Sequence, residues 1–312
     1  MKVIIAGAGA MGCRFGSSLF NENEVILVDN WEEHVDKINR TGLSITDDKG
    51  RALIPISAKL PENCNEKADL LIIFSKSVQT DSIIQSCLQM ITSETKILTL
   101  QNGIGNVETL TKWVPVEQLF AGITTYAANL NGPGTVEATG SGIIEIMHIT
   151  GKRRREAELL IQLFNKSGLK AELSGNVIQS IWEKAAFNAV LNPLCALTSS
   201  TVGQIGAYGI IGDVIRSVLG EIELVAEAEG VDFDKLQVMN VIENVFNPNM
   251  SSHHYSSMYH DLQNGRETEI EYLNGAFIKK ANQYNIPTPY NTLLYHLIKI
   301  AEGNRKIVHE FS

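Results

Sequence analysis

Only four cysteines, Cys13, Cys64, Cys87 and Cys195, occur among the 312 residues, and no two of them form a C-x-x-C pair. That scatter suggests neither a disulfide framework nor a cysteine zinc site, and it fits a reducing compartment, so a cytoplasmic location is expected. Cations are also in deficit: 26 Lys and Arg stand against 35 Asp and Glu, a formal net charge of −9. Sequence-independent attachment to nucleic acid or anionic lipid, which needs clustered cations to release counterions, is disfavoured. The one basic run, Lys152 to Arg155, is flanked by Glu156 and Glu158 and reads as a solvated helix start. No apolar run approaches the roughly 18 to 20 residues of a membrane span. The N-terminal apolar stretch is too short and too rich in glycine for a signal peptide. Internal repeats and low-complexity segments are absent. With 44% hydrophobic residues the chain has the material for a substantial core, and its length favours two domains.

The first stretch that carries chemistry is Lys2 to Gly12, KVIIAGAGAMG. Val3, Ile4 and Ile5 form the apolar β-branched run of a buried parallel strand, which ends at Gly7, Gly9 and Gly12, spaced G-x-G-x-x-G with Ala8, Ala10 and Met11 between them. Gly7 permits a sharp strand-to-helix bend, Gly9 lets a pyrophosphate approach the backbone, and Gly12 lets the helix pack closely on the strand. A helix from Ala10 to about Phe20 would direct its N-terminal N–H groups and positive dipole end at that pyrophosphate. A second strand, Glu24 to Val28, closes on Asp29 at the distance expected of a ribose-binding acid. Together these features predict a dinucleotide site.

Further on, Trp31 to Arg40 has helical spacing and stops at Gly42, a plausible C-cap. Leu43 to Thr46 and Ala52 to Ser57, joined by DDKG, read as a hairpin inserted between wound units. Ala68 to Phe74 and Lys96 to Leu100 are buried strands, with a covering helix from about Val78 to Ile91 between them. Strands alternating with amphipathic helices specify a doubly wound parallel α/β sheet whose ligands sit beyond the carboxyl ends of the strands. The residues that follow each strand are then site candidates: the glycines, Asp29, Ser75 and Lys76, and Gln101, Asn102 and Gly103. Phe120 to Tyr126 and Gly134 to Met147 alternate like antiparallel strands and are expected to extend one sheet edge. A helix from Arg153 to Ser167 and a strand near Lys170 to Leu173 complete residues 1–175. Beyond Asn176 the period is helical: Val177 to Leu197, Asp213 to Glu229, Phe233 to Val245, Thr268 to Tyr284 and Thr292 to Gly303. Residues 176–312 therefore read as an all-α domain, with Gly203 to Gly212 as a close helix crossing or a loop.

On the first of these helices Lys184, Asn188 and Asn192 recur at i, i+4 and i+8 along one face, among Ile181, Trp182, Phe187 and Leu191. A lysine and two amides in apolar surroundings are costly unless paired, and Pro193 removes a backbone donor beside the last amide. Two accounts are open: a snorkelling lysine with two surface amides, or a proton donor for a carbonyl held by amides opposite a nicotinamide. In Gly265 to Gly275, GRETEIEYLNG, Glu269 and Glu271 face different directions, so one can turn inward while the other is solvated. His253, His254 and His260 lack ligand spacing and read as loop or surface residues; no metal is expected.

The chain resembles the ketopantoate reductase family over nearly its whole length. The shared segments are GAGAMG, SKSVQT, QNG, GPGTVEATGSG, WEKAAFNAVLNPLCAL and SSMYHDLQNGRETEIEYLNG. The resemblance implies an N-terminal Rossmann domain joined to a helical C-terminal domain like that of 6-phosphogluconate dehydrogenase, with the active site in the cleft between them. It implies that Lys184 is the general acid and that Asn102, Asn188 and Asn192 hold substrate and the nicotinamide side of the site. It makes Ser257 a contact to the substrate carboxylate and Glu269 a hydrogen-bonding carboxylate of the site. The usual pantoate-forming members prefer NADPH and carry an arginine where this chain has Asn30, preceded by Asp29. An acid there accepts from NAD ribose hydroxyls and repels the phosphate of NADP, so NAD(H) is expected over NADP(H). The NAD-linked branch it then resembles acts as D-2-hydroxyacid dehydrogenases of the D-mandelate type, on bulky or branched 2-oxo acids. Three alternatives stand beside it: an NADPH-dependent 2-dehydropantoate 2-reductase, a 3-hydroxyacid dehydrogenase of related build, and a non-catalytic NAD(H)-sensing regulator, which needs the glycine turn but not Lys184. For assembly, a homodimer through the helical half is considered.

Overall fold

The structure is a computed structural model that describes residues 1–247 and 254–310. Packing divides the chain into two compact units, Met1–Gln101 with Asn106–Ser180, and Asn102–Gly105 with Ile181–Ser312.

The first unit runs β1 (Lys2–Ala6), α1 (Ala10–Leu19), β2 (Glu24–Val28), α2 (Glu32–Thr41), β3 (Leu43–Asp47), β4 (Gly50–Ile54), β5 (Ser57–Lys59), β6 (Leu70–Ile73), α3 (Thr80–Cys87), β7 (Lys96–Thr99), α4 (Asn106–Leu110), β8 (Leu119–Thr124), β9 (Asn129–Gly132), β10 (Thr135–Glu137), β11 (Ile144–His148), α5 (Arg154–Lys166) and β12 (Ala171–Leu173). Eight strands form one sheet in the order β12-β11-β8-β7-β6-β1-β2-β5. They are parallel except that β11, with β12 beside it, runs antiparallel to β8. Side chains alternate across this sheet. Val3, Ile5, Leu70 and Leu98 pack on one face with Phe15, Phe120 and Phe164, while Ile4, Ala6, Leu71 and Ile97 pack on the other with Ile83 and Ile84. Burial on both faces is why these strands read as unbroken apolar runs.

Two expectations are corrected here. The hairpin β3–β4 ends at Ile54, and Ser57 to Lys59 is a separate strand that returns to the main sheet beside β2. Of Phe120 to Tyr126 and Gly134 to Met147, β8 and β11 do extend the main sheet as an antiparallel pair, but β10 and the neighbouring β9 do not. They join the hairpin in a second sheet, β4-β3-β10-β9, in which β10 runs parallel to β3 with Val136 opposite Ile45. Val136 and Ile45 are both buried there, so leaving the main sheet gains them apolar cover.

In the second unit and its approach lie α6 (Val177–Thr198), α7 (Val202–Gly206), α8 (Ile211–Ala228), α9 (Lys235–Val245), α10 (Ser257–Gln263), α11 (Asn274–Gln283) and α12 (Pro289–Glu310), with no strand among the described residues. Side-chain caps start several of them: Thr201 forms a capping box with Gln204 on α7, Asp234 accepts from Gln237 N, and Ser256 accepts from Tyr259 N. Gly206 packs against Phe246, where a Cβ would lie 2.3 Å from the ring, so the small-residue stretch does contain a close crossing. Residues Thr268 to Tyr284, expected as one helix, are instead a 3-10 turn at Ile270–Tyr272 followed by α11. The break falls at Leu273, whose φ and ψ are −109° and −104°.

Candidate functional site

In the first unit the glycine turn has the shape its spacing requires. Gly7 adopts φ +97°, and a Cβ there would lie 2.3 Å from Ser75 N. A Cβ on Gly12 would lie 2.0 Å from the Gly7 carbonyl oxygen, whereas one on Gly9 would meet nothing within 4 Å. The backbone at Gly9 therefore faces open space at the N-terminus of α1, with Ala10 and Met11 in the first turn. Such a cradle fits a dinucleotide pyrophosphate. The Asp29 carboxylate follows β2 and accepts from Ala8 N at 2.7 Å and from Trp31 N at 3.0 Å. Asn30 is exposed beside it.

Sequence reasoning missed what holds this turn from beneath. The Cys13 thiol donates to the Ala8 carbonyl at 3.0 Å, and burial pushes that thiol far above its ordinary range. His34 lies within 3.5 Å of the Cys13 sulfur through Nε2 and accepts from Gly134 N through Nδ1. At the ends of β6 and β7, Gln101 donates to the Ser75 carbonyl at 2.8 Å and to Thr80 Oγ1 at 2.8 Å, so its amide ties the two strand ends together. Ser75 is buried, and the partly buried Lys76 opens the 3-10 turn Ser77–Gln79.

In the second unit, α6 carries Lys184, Asn188 and Asn192, all partly buried, with Trp182 and Leu191 buried beside them. Burial pushes the Lys184 ammonium down to about 8, against the pull of the Glu269 carboxylate, which favours its charged form. Glu269 also accepts from Asn102 Nδ2 at 3.3 Å. The structure thus brings Lys184, Glu269 and Asn102 into one electrostatic group. Glu271 is turned elsewhere, accepting from the Tyr295 hydroxyl at 2.7 Å and lying 3.5 Å from Lys299.

The loop Asn102–Gly105 is fixed by its backbone. Gly103 has φ +86°, a Cβ there would come within 2.4 Å of the Tyr272 carbonyl oxygen, and Ile104 N donates to that same oxygen at 2.8 Å. Glu269 is held from its other side. Thr268 is fully buried and donates through N and Oγ1 to Glu302, at 2.8 and 2.7 Å. Burial alone would raise the Glu302 carboxyl, but bonds from Lys299 and Thr268 hold it below its usual range. Ser257 is exposed at the first position of α10, and its neighbour Ser256 donates to the Asn192 carbonyl at 3.3 Å. His254 and His260 are exposed and His253 lies outside the described residues. No group of three metal-ligating side chains occurs among the described residues.

Family models for ketopantoate reductase PanE/ApbA match residues 3–151, and for its C-terminal domain residues 176–302. The chain belongs to the ketopantoate reductase family. It is similar to the 2-dehydropantoate 2-reductase of Lactococcus lactis subsp. lactis (strain IL1403), with 37% identity over 306 residues covering 97% of this chain and 98% of the relative. The enzyme of the same name from Pyrococcus abyssi (strain GE5 / Orsay) is 31% identical over 304 residues, covering 97% and 98%. A solved ternary structure of D-mandelate dehydrogenase with NADH and anilino(oxo)acetate aligns with a TM-score of 0.95 at 35% identity, covering 98% of this chain and 99% of that one. The protein is an oxidoreductase of this family, built from a Rossmann-type unit and a helical unit, and a nicotinamide dinucleotide fits its glycine turn. No helix among the described residues is long and apolar enough to cross a membrane.

Proposed function

We propose that the protein catalyses the NADH-dependent, reversible reduction of a branched or bulky 2-oxo acid to the D-2-hydroxy acid, the D-mandelate dehydrogenase type of reaction. In this assignment residues 1–175 are the NAD-binding domain and residues 176–312 the substrate domain. The observation that carries it is the state of Lys184: a partly buried cation with its pKa at about 8, sharing a helix face with two amides and opposed by Glu269. A bound dinucleotide supplies the hydride. As the carbonyl carbon accepts it, the oxygen gains negative charge, which the Lys184 ammonium stabilises and then neutralises by giving up its proton. In the reverse direction the neutral amine takes that proton back. Asn102, Asn188 and Asn192 hold substrate through their amides, Ser257 offers a hydroxyl to the substrate carboxylate, and Glu269 keeps the lysine charged.

The preference for NADH is assigned to Asp29. A carboxylate has about four lone-pair sites, of which the bonds from Ala8 N and Trp31 N use two, leaving acceptors for ribose hydroxyls. An added phosphate about 4 Å from that carboxylate would cost on the order of 4 kcal/mol at an effective dielectric of about 20. The similarity to a D-mandelate dehydrogenase described with NADH supports the same preference. Gly7, Ala8, Gly9, Ala10, Met11 and Gly12 would hold the pyrophosphate, with Ser75, Lys76, Gln101, Asn102, Gly103 and Glu269 completing the cofactor site. The product configuration rests on the family resemblance. A homodimer through the helical half and a cytoplasmic location belong to the same proposal; the exposed Leu293, Leu297 and Ile300 on α12 and the four buried free cysteines support them.

A second assignment, NADPH-dependent 2-dehydropantoate 2-reductase, is favoured by the names of the relatives at 37% and 31% identity. Initial rates with NADH and NADPH in parallel, against ketopantoate, benzoylformate and 2-oxoisovalerate, separate the two. NADH with the bulky acids is expected, and NADPH with ketopantoate alone would establish the second. Lys184→Ala should abolish turnover and leave NADH binding intact; full activity in that variant would remove Lys184 from the mechanism.

A further inference from the structure

Pro193 lies inside α6 and has no N–H, so the carbonyl four residues earlier, that of Ala189, lacks its helical donor. A buried carbonyl in that position needs another partner. Asn274 supplies one: its Nδ2 donates to the Ala189 carbonyl at 3.0 Å. The second hydrogen of the same amide goes to Asn291 Oδ1, also at 3.0 Å. Asn291 Nδ2 in turn donates to Glu221 Oε2 at 2.7 Å and to the Val218 carbonyl at 3.2 Å. The Glu221 carboxylate accepts in addition from Tyr290 N and Asn291 N, at 2.8 and 2.9 Å, in the first turn of α12. Asn274 and Asn291 are fully buried, and Glu221 is 7% exposed. The interrupted turn of α6 is therefore held to α8 and α12 by a chain of polar side chains.

That turn sits between the two amides of the site. Ala189 follows Asn188 and Pro193 follows Asn192. Asn274 opens α11 five residues after Glu269, so it also fixes the segment that brings Glu269 toward Lys184. We propose that Asn274 is a positioning residue: it replaces the backbone donor that Pro193 lacks and thereby sets Asn188 and Asn192 relative to Lys184. Asn274 need not touch substrate to do this. The proposal rests on the assignment of Lys184, Asn188 and Asn192 as the substrate-gripping face.

The test is a cycle between Asn274→Leu and Pro193→Ala in the full-length protein. Leucine keeps the volume and removes the donor, whereas alanine at 193 restores an N–H that can reach the Ala189 carbonyl. Asn274→Leu alone should lower kcat for 2-oxo acid reduction about tenfold or more, a larger factor than any change in the NADH dissociation constant, because small misplacements of a gripping group are costly. Amide exchange across residues 185–197 should accelerate by a similar factor of about ten, since the turn opens more readily. In the Pro193→Ala background, both effects of Asn274→Leu should shrink to about threefold or less.

Equal losses in both backgrounds overturn the proposal, as does a change in exchange with kcat within about twofold of the unmodified protein. If Asn274→Leu folds only together with Pro193→Ala, the rescue supports it. If neither folds, Asn274→Ala, which also removes the donor but places no branched apolar group against Asn291, replaces leucine in the same cycle, and equal losses in both backgrounds there overturn it. Failure of the unmodified protein to reduce any 2-oxo acid would overturn the functional assignment itself. The exchange coupling would then still report whether Asn274 stands in for the proline, so the two failures are distinguishable.

Discussion

Raising the pH should switch off reduction near 8, well before an ordinary lysine would lose its proton. With the Lys184 pKa at about 8, about a tenth of the side chain is protonated at pH 9, whereas a lysine near 10.5 would be almost fully charged there. The kcat for reduction at saturating NADH should thus fall about tenfold between its neutral plateau and pH 9. Oxidation of the D-2-hydroxy acid, which needs the neutral amine, should rise over the same interval. Glu269→Gln tests the cause. Glutamine keeps an oxygen for Asn102 Nδ2, now 3.3 Å from the carboxylate, and removes only the charge that opposes the effect of burial on Lys184. Loss of a neighbouring opposite charge moves a pKa by about one unit or more, so the reductive limb should move to about 7 and kcat at pH 8 should drop about tenfold below the plateau, about fivefold below that of the unmodified protein at the same pH. The assay is kcat in both directions from pH 6 to 10 at constant ionic strength. A limb at an ordinary lysine value, or a limb that Glu269→Gln leaves in place or moves upward, refutes the electrostatic account of the site. Between about 8 and 10.5 the unfolded chain binds more protons at this lysine than the folded one, so its contribution to stability rises with pH across that window.

Asp29→Asn should narrow the preference for NADH over NADPH by about tenfold or more, since about 1.4 kcal/mol of removed repulsion is tenfold in affinity. It should also weaken both cofactors, because the bonds to Ala8 N and Trp31 N become weaker; fluorescence titration with each cofactor reads both effects, and an unchanged ratio would remove Asp29 as the discriminator. Gly103→Ala forces a Cβ toward the Tyr272 carbonyl oxygen at φ +86° and should destabilise by about 1 to 3 kcal/mol. Thermal unfolding detects that loss, and a midpoint equal to that of the unmodified protein would contradict the packing described.

The wound core was legible because its strands are buried on both faces, so runs such as Val3, Ile4 and Ile5 stand out from their surroundings. The second sheet was not. Its key pairing, Val136 with Ile45, joins a three-residue strand to one about ninety positions away, and no local period records such a pairing. The opposite facing of Glu269 and Glu271 followed from their spacing, and the structure turns the first to Asn102 and the second to Tyr295. The helix expected over Thr268 to Tyr284 breaks because the Tyr272 carbonyl is used by Ile104 N, a donor from far along the chain. Nothing in the segment GRETEIEYLNG marks Asn274 as the partner of a distant carbonyl. The only signal for it lay elsewhere, in Pro193, which announces an unpartnered carbonyl but not the side chain that answers it.

The loop Asn102–Gly105 has a consequence for how this protein can be cut. Four residues that precede the second unit by more than seventy positions in the chain pack as part of it, capping the Tyr272 carbonyl and bonding Glu269. A fragment starting at residue 176 would lack a piece of its own interior, and a chimera joined there would unite an Asn102 loop from one parent with a Tyr272 turn from another. Such exchanges should succeed only when the loop and the turn travel together, because the packed unit is discontinuous along the chain.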